Sequence, residues 1–301
     1  MHRASTNTPV TGCRATPDSV ESPHAGNDST IPSIPEFQRI VLSHYEKSGR
    51  TMPWRITPYP YPVLVSEIML QQTQIERVME KFPAFISAFP DFSSLAAAPL
   101  PDVLSAWQGL GYNRRALALR HCAEIVMSRY GGILPPDPGI LSGFPGIGHA
   151  TASSICAFAF NMPVVFIETN IRRVFIHYFF PGTGEVSDGE ILPLVEQALY
   201  RENPRVWYWA LMDLGTALKK SVPNPNRRSR HYARQSAFEG SDRQIRGMVL
   251  RLLLAEGEMT EDEVAGRCSV AKERVLKILA GLERDGFIRR TGDTLALSGG
   301  T

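Results

Sequence analysis

The sequence predicts an all-α fold, and three observations carry that prediction. Across residues 35–218 apolar side chains recur at helical spacing. Convincing alternating strand patterns are absent from the same stretch. The helical patterns are separated by short loops containing Pro and Gly. The chain has 301 residues, 43% of them hydrophobic and 21% charged, which leaves enough apolar material for one large core or two smaller ones.

Residues 1–34 are rich in Ser, Thr, Pro, Gly and Asn. They bury too little to offset the entropy of ordering and are expected to be a disordered tail, a mis-assigned start being the alternative. Helices are expected over residues 35–48, 63–82, 100–107, 114–130 and 150–160. Residues 219–240 read as a basic, proline-containing linker. Residues 241–301 change character. A helix is expected over 243–256, and Thr260 starts a second with Asp262 and Glu263 in its first turn. A third helix, over 271–285, carries Lys272, Arg274, Lys277 and Arg284. Residues 287–297 read as two short strands around a Gly-Asp turn. This order resembles that of a small winged-helix domain, which would make 271–285 the recognition-type helix; such domains bind DNA or proteins.

The net charge of +2 is too small to name a partner, so the placement of charge matters more than its sum. Cys13, Cys122, Cys156 and Cys268 are scattered, with no CxxC pair. That pattern predicts a reduced, intracellular protein without a disulfide or zinc framework and without a metal site built on cysteines. No apolar run reaches the roughly 18 residues of a membrane span. The first thirty or so residues lack the apolar core of a signal peptide. A cytoplasmic protein with no membrane contact is therefore expected.

Phe144-Pro145-Gly146-Ile147-Gly148 joins two expected helices. Pro145 fixes one dihedral of the turn, and Gly146 and Gly148 admit backbone angles and close approaches that other residues resist. Amides exposed here, where a helix starts at His149, suit a DNA phosphate. Alone, this run would be an ordinary helix connection. What changes its meaning is the run that follows it, Val165-Phe166-Ile167-Glu168-Thr169-Asn170-Ile171-Arg172-Arg173, which brings a carboxylate out of an apolar approach. Thr169 is expected to cap a helix beginning near Asn170, whose positive end would favour an ionised Glu168.

Residues 36–218 resemble the helix-hairpin-helix DNA glycosylase superfamily, which is endonuclease III-like, and more closely its MutY-type adenine DNA glycosylases. The matching pieces occur in order. They are Met52-Pro53-Trp54-Arg55, then Ser66-Glu67-Ile68-Met69-Leu70-Gln71-Gln72-Thr73-Gln74, then Gly109-Leu110-Gly111-Tyr112 with Asn113 in place of a second Tyr. The hairpin and Met212-Asp213-Leu214-Gly215 complete the set. The resemblance implies a helix-hairpin-helix fold of two helical lobes and an enzyme that flips a base out of duplex DNA and cuts its bond to the sugar.

Adenine leaves only after a ring nitrogen is protonated, and its departure puts positive charge on the sugar. The reaction wants one protonated and one ionised carboxyl group. Glu67, among Val65, Ile68, Met69 and Leu70, is the expected acid, since an apolar pocket raises a carboxyl pKa. Glu168 is the expected ionised partner, standing where the family has Asp. Asn170 matches a position that hydrogen-bonds the site. Gln72 matches the wedge that enters the duplex, and Tyr112 the residue that intercalates beside the opposite base. Ala150 stands where bifunctional relatives carry a Schiff-base Lys, so a monofunctional enzyme is expected.

The resemblance also implies an iron–sulfur cluster after the Met-Asp-Leu-Gly helix, but its ligand positions read Lys219, Asn226, Ser229 and Gln235. Without thiolates no cluster is expected, and no other cofactor, although a monovalent cation in the hairpin fits the resemblance. Lys219, Lys220, Arg227, Arg228, Arg230, His231 and Arg234 share that segment with no acidic residue, which predicts contact with the DNA backbone. Pro145, Gly146, Ile147 and Gly148 complete the expected DNA surface. The resemblance implies a nucleoid-associated monomer whose partner is duplex DNA with a mismatched or damaged base, and the expected substrate is adenine opposite guanine or 8-oxoguanine. A thymine or uracil mismatch glycosylase on the same scaffold, or a DNA-binding protein with a decayed site, are the alternatives.

Overall fold

The computed structural model describes residues 31–232 and 237–299. The expected tail over residues 1–30, and Arg234 and Gln235 of the basic segment, lie outside the described residues. The chain is helical from Ile34 onward, so the expected tail boundary at 34 falls inside the first helix. That helix, α1 (Ile34–Ser48), starts where the Ser33 side chain accepts from the Glu36 amide and Pro35 fills the first turn.

The next elements are α2 (Pro53–Ile56), α3 (Pro60–Leu70), α4 (Ile75–Ala88), α5 (Phe92–Ala97), α6 (Leu100–Ala106) and α7 (Arg114–Tyr130). They are followed by α8 (Pro138–Leu141), α9 (His149–Phe160), α10 (Thr169–Phe179), α11 (Asp188–Ala198) and α12 (Pro204–Ser221). The single helix expected over 63–82 is therefore two. It breaks after Leu70 because Gln72 adopts a positive φ of 55° and because the Arg115 guanidinium removes the carbonyls of Ile68, Met69 and Gln71 from the helical ladder, at 2.9, 2.8 and 2.5 Å. No spacing of apolar residues could have revealed a cap supplied by a side chain so far along the chain.

Two apolar clusters organise these helices. One is built from α2 to α9, with Trp107, Phe85, Leu64, Ile68, Met69 and Leu119 fully buried. The other joins α1, the end of α9, α10, α11 and α12 around Phe37, Phe175, Trp207 and Tyr208. Each large buried side chain contributes on the order of 1.5–3 kcal/mol. In the second cluster the Phe37 ring also meets Phe175, Phe179 and Trp207 edge-to-face at 5.1, 4.9 and 5.9 Å. Helices α3 and α9 are apolar nearly all round and run through the middle of the assembly. Glu67 is the carboxylate that interrupts α3, and Ser154 stands on α9.

The linker expected over 219–240 is largely ordered. Helix α12 extends through Lys219 and Lys220 to Ser221, and residues Pro225–Arg228 make a 3₁₀ turn. After it come α13 (Asp242–Glu256), β1 (Met259–Thr260), α14 (Glu261–Cys268), α15 (Lys272–Arg284), β2 (Ile288–Thr291) and β3 (Thr294–Leu297). Thr260 and Glu263 cap α14 reciprocally. The strands form an antiparallel sheet in the order β1-β3-β2, with Ile288 opposite Leu297 and Met259 opposite Leu295. β1 was not expected: two residues are too short for an alternating pattern to register. The apolar cluster of α2–α9 continues into this C-terminal module through Leu250, Leu253, Phe287 and Leu295. Among the described residues no helix is long and apolar enough to cross a membrane.

Candidate active site

Glu67 projects from α3 and keeps partial exposure, although its helix neighbours Ser66 and Ile68 are buried. Its Oε2 lies 2.5 Å from the Ser154 hydroxyl on α9, which is also 2.9 Å from the Thr151 carbonyl. Desolvation by the packed helices pushes its carboxyl up to about 7, with the charge of Glu168 adding to the rise and Ser154 and Arg55 opposing it. Arg55 is itself held by Asp213 at 3.0 Å through both terminal nitrogens.

Glu168 comes from the other lobe. The helix cap is Glu168 itself and not the expected Thr169, since α10 begins at Thr169. Its side chain folds back onto its own helix. Oε1 accepts from the amides of Asn170 and Ile171 at 2.6 and 2.8 Å, and Oε2 accepts from Asn170 Nδ2 at 3.3 Å. Burial is the largest influence and holds this carboxyl above its ordinary value too, with the Ile171 and Asn170 amides, Arg173 and Arg172 opposing part of the rise. Donors aimed at both oxygens, at the positive end of an eleven-residue helix, favour the charged form. Glu168 thus meets donors on both oxygens where Glu67 meets one hydroxyl, while burial leaves both carboxyls above their ordinary values.

Asn170 is oriented from behind. Its Oδ1 accepts from Arg173 Nη1 at 2.7 Å, which turns Nδ2 toward Glu168. The same Arg173 nitrogen donates to the Gly215 carbonyl at 2.7 Å. A Cβ at Gly215 would stand 2.6 Å from the Asn170 carbonyl and 2.7 Å from its Cβ. This is the physical content of the Met-Asp-Leu-Gly run. Gly215 lets α12 press against the start of α10, and Asp213 gathers Arg50 and Arg55.

The hairpin lies close by. Gly146 has φ of +72°, and a Cβ there would meet Ala118 at 3.0 Å. Gly148 caps α9 with open space around it, and Gly146, Gly148, His149 and Ala150 are exposed. Pro145 is half-buried, while Ile147 turns its side chain into the core and can offer a ligand only its main chain. Gln71 donates to the Gly146 carbonyl at 3.0 Å and so ties the hairpin to the turn carrying Gln72. Gln72 is exposed at that turn. Tyr112, at φ of +49°, sits on the next turn. Arg115 binds both turns, since it also donates to Thr73 Oγ1, Leu110 O and Gly111 O at 2.9, 3.2 and 3.0 Å.

The basic segment divides. Lys219, Lys220 and Arg227 are exposed. Arg228 turns inward, donating to Phe180 O at 2.6 Å, Thr183 O at 3.0 Å and Ile176 O at 3.1 Å, where it satisfies the open carbonyls at the end of α10. Arg230 meets Glu185 at 3.3 Å and His231 meets Asp188 at 3.7 Å. The expectation of a run without counter-charges is corrected, because the carboxylates come from a different part of the chain. The residues at the cluster positions do not fit an iron–sulfur group. Lys219 and Ser229 offer no thiolate, and buried Asn226 gives its amide to the Thr169 carbonyl at 2.9 Å.

Sequence reasoning missed Ser154, Arg115, Arg173 and Gly215 as parts of the site. The available signal was polarity out of place, such as Ser154 within the apolar, buried run of α9.

The residues 65–272 match the family described as HhH-GPD superfamily base excision DNA repair protein, and the chain belongs to that family. An adenine DNA glycosylase of Mycobacterium tuberculosis is 32% identical over 277 residues, covering 84% of this chain and 90% of that one. An adenine DNA glycosylase of Buchnera aphidicola is 40% identical over 144 residues, but the chain spans only 41% of that protein's length and the match 48% of this chain. Among solved structures, a thermostable thymine-DNA glycosylase is similar with a TM-score of 0.57 at 25% identity, covering 60% of this chain and 85% of that one.

Proposed function

We propose that the protein is a monofunctional DNA N-glycosylase that removes adenine mispaired with guanine or 8-oxoguanine. The observation that carries this reading is the pairing, beside the exposed hairpin, of Glu67, whose carboxyl burial pushes up to about 7, with Glu168, whose carboxylate oxygen accepts from two helix-start amides. Exposed amides at the start of α9 hold a phosphate of the target strand, and Gln72 and Tyr112 enter the duplex as the adenine leaves the stack. Glu67 gives its proton to a ring nitrogen of the base. The bond to the sugar then breaks with its electron pair going to the base. Glu168 stabilises the cationic sugar and the water that attacks it, aligned by Asn170. Ala150 offers no amine, so the product is an abasic site with the strand intact. The chain works without an iron–sulfur cluster, and elemental analysis of purified protein is expected to find no stoichiometric iron.

The test is single-turnover base release on duplexes carrying A:G, A:8-oxoguanine, A:C, T:G and U:G, with and without alkali. Release of adenine from A:G or A:8-oxoguanine, with strand cleavage only after alkali, is expected. Release confined to T:G or U:G would move the assignment to the pyrimidine reading, and strand cleavage without alkali would end the monofunctional one.

A further inference from the structure

A cleft of about 1230 Å³ opens between the helical lobes and the C-terminal module, and the chemistry above uses only one of its walls. That wall holds Gln72, Arg77 and Tyr112. The facing wall is α13, which presents Arg243, Arg246, Leu250 and Arg251 along one face. The cleft is cationic, with Glu80 the carboxylate among its lining residues. Some of that charge is answered: Asp285, at the end of α15, holds Arg114 at 2.7 Å and also bonds Arg246, which moors the module to α7. Arg77 and Arg251 are exposed and, among the described residues, neither is paired with a carboxylate.

Helix α15 is differently placed. Its Lys272 pairs with Asp262, and its Arg274 pairs with Asp242 at 2.7 Å. On the sheet beside it, Arg290 pairs with Glu261 at 2.6 Å. The helix expected to read DNA spends much of its charge within the module, and α13 carries charge toward the cleft. Arg243 is the best-placed group on α13. Its guanidinium lies 5.3 Å from the Tyr112 ring centroid and 5.9 Å from that of Phe238, with Nη1 bonding the Tyr112 hydroxyl and Nη2 donating to the Ala237 carbonyl at 3.4 Å, contacts that a base would share or displace. A planar fork oriented by contacts with two rings, one of them Tyr112 at a positive-φ turn, is preorganised for a planar ligand with adjacent acceptors.

We propose that this cleft takes the DNA strand opposite the excised base, and that Arg243 is a specificity-determining residue that reads an opposite guanine-type base through its O6 and N7 acceptors. The inference rests on the glycosylase reading for its strand assignment. Guanine and 8-oxoguanine share the O6 carbonyl, whereas the N7 lone pair belongs to guanine alone, so the contact favours guanine. A cytosine opposite presents an amino donor to the same donors and is rejected. Arg77 and Arg251, at the rims, take backbone phosphates.

The experiment measures affinity for a duplex bearing a tetrahydrofuran abasic analogue that faces guanine, 7-deazaguanine or cytosine, and so does not depend on turnover. Wild-type protein is expected to prefer guanine to 7-deazaguanine and to cytosine by about tenfold. Arg243→Ala is expected to bind all three alike. Arg243→Lys keeps the charge without the fork and is expected to keep overall affinity while losing the preference. Arg251→Glu is expected to weaken all three duplexes and to flatten the salt dependence by about one phosphate contact or more, and Lys277→Glu, on the exposed face of α15, is expected to change neither. Thermal melting checks that each variant folds, and Arg243→Lys keeps the test open if Arg243→Ala does not fold. An unchanged guanine preference in a folded Arg243 variant would overturn the reading role. Equal losses from Lys277→Glu and Arg251→Glu would move the strand to α15. Absence of adenine release by wild type, with the guanine preference intact, would sink the enzymatic reading and leave the cleft assignment standing.

Discussion

Glu67 and Glu168 are the same residue type in opposite settings. Glu67 interrupts an apolar helix and meets one hydroxyl, and its carboxyl is pushed up to about 7. Glu168 sits at a helix start, where main-chain amides and two arginines meet its carboxylate. Burial raises both carboxyls, and the contrast lies in the donors: the helix interior withholds them from Glu67, and the helix terminus supplies them to Glu168.

Breaking the contrast at its charged end should have the largest effect. Glu168→Gln removes the charge and is expected to lower single-turnover base release by 10²-fold or more, on the order of the loss of one preorganised electrostatic group, with duplex binding nearly intact. Unchanged turnover would remove Glu168 from the mechanism. Gly215→Ala acts on the same carboxylate from behind by displacing Asn170, and it is expected to cost about 10²-fold in release. A crystal structure or melting curve of that variant would separate local displacement from unfolding. The contrast can also be titrated from its protonated end. Base release is expected to fall about tenfold per pH unit above a midpoint near 7, because Glu67 must keep its proton, and Glu67→Gln should abolish that limb. Ser154→Ala gives the smallest effect. The hydroxyl opposes the rise in the Glu67 pKa, so its loss favours the protonated form and should move the limb upward by about a pH unit or less. A downward shift would mean that the hydroxyl accepts from Glu67 instead.

The legibility of the fold and the site in the sequence differs by element. Helices α7 and α9 were readable almost to the residue because their apolar spacing is local. The break between α3 and α4 was not, since it depends on Arg115, which reaches a carbonyl 47 residues back along the chain. The hairpin and the carboxylate run could be recognised from residue order. Thr169 was a reasonable cap by type, yet the helix starts at Thr169 itself, so Glu168 is the cap and takes the amides of Asn170 and Ile171. The basic run after α12 looked uniform, and its members separated only once Glu185, Asp188 and the end of α10 came beside them.

The sequence by itself determined the helical class of the long region, the order of the motifs and the residue types available for acid and anion chemistry. These follow from local periodicity and from side-chain chemistry, which residue order carries. Only the tertiary structure decided which group holds which. Ser154 lies 87 positions from the Glu67 it touches, and Asp285 lies 171 from the Arg114 it holds. Desolvation and ion pairing act over a few ångströms of space and are indifferent to distance along the chain.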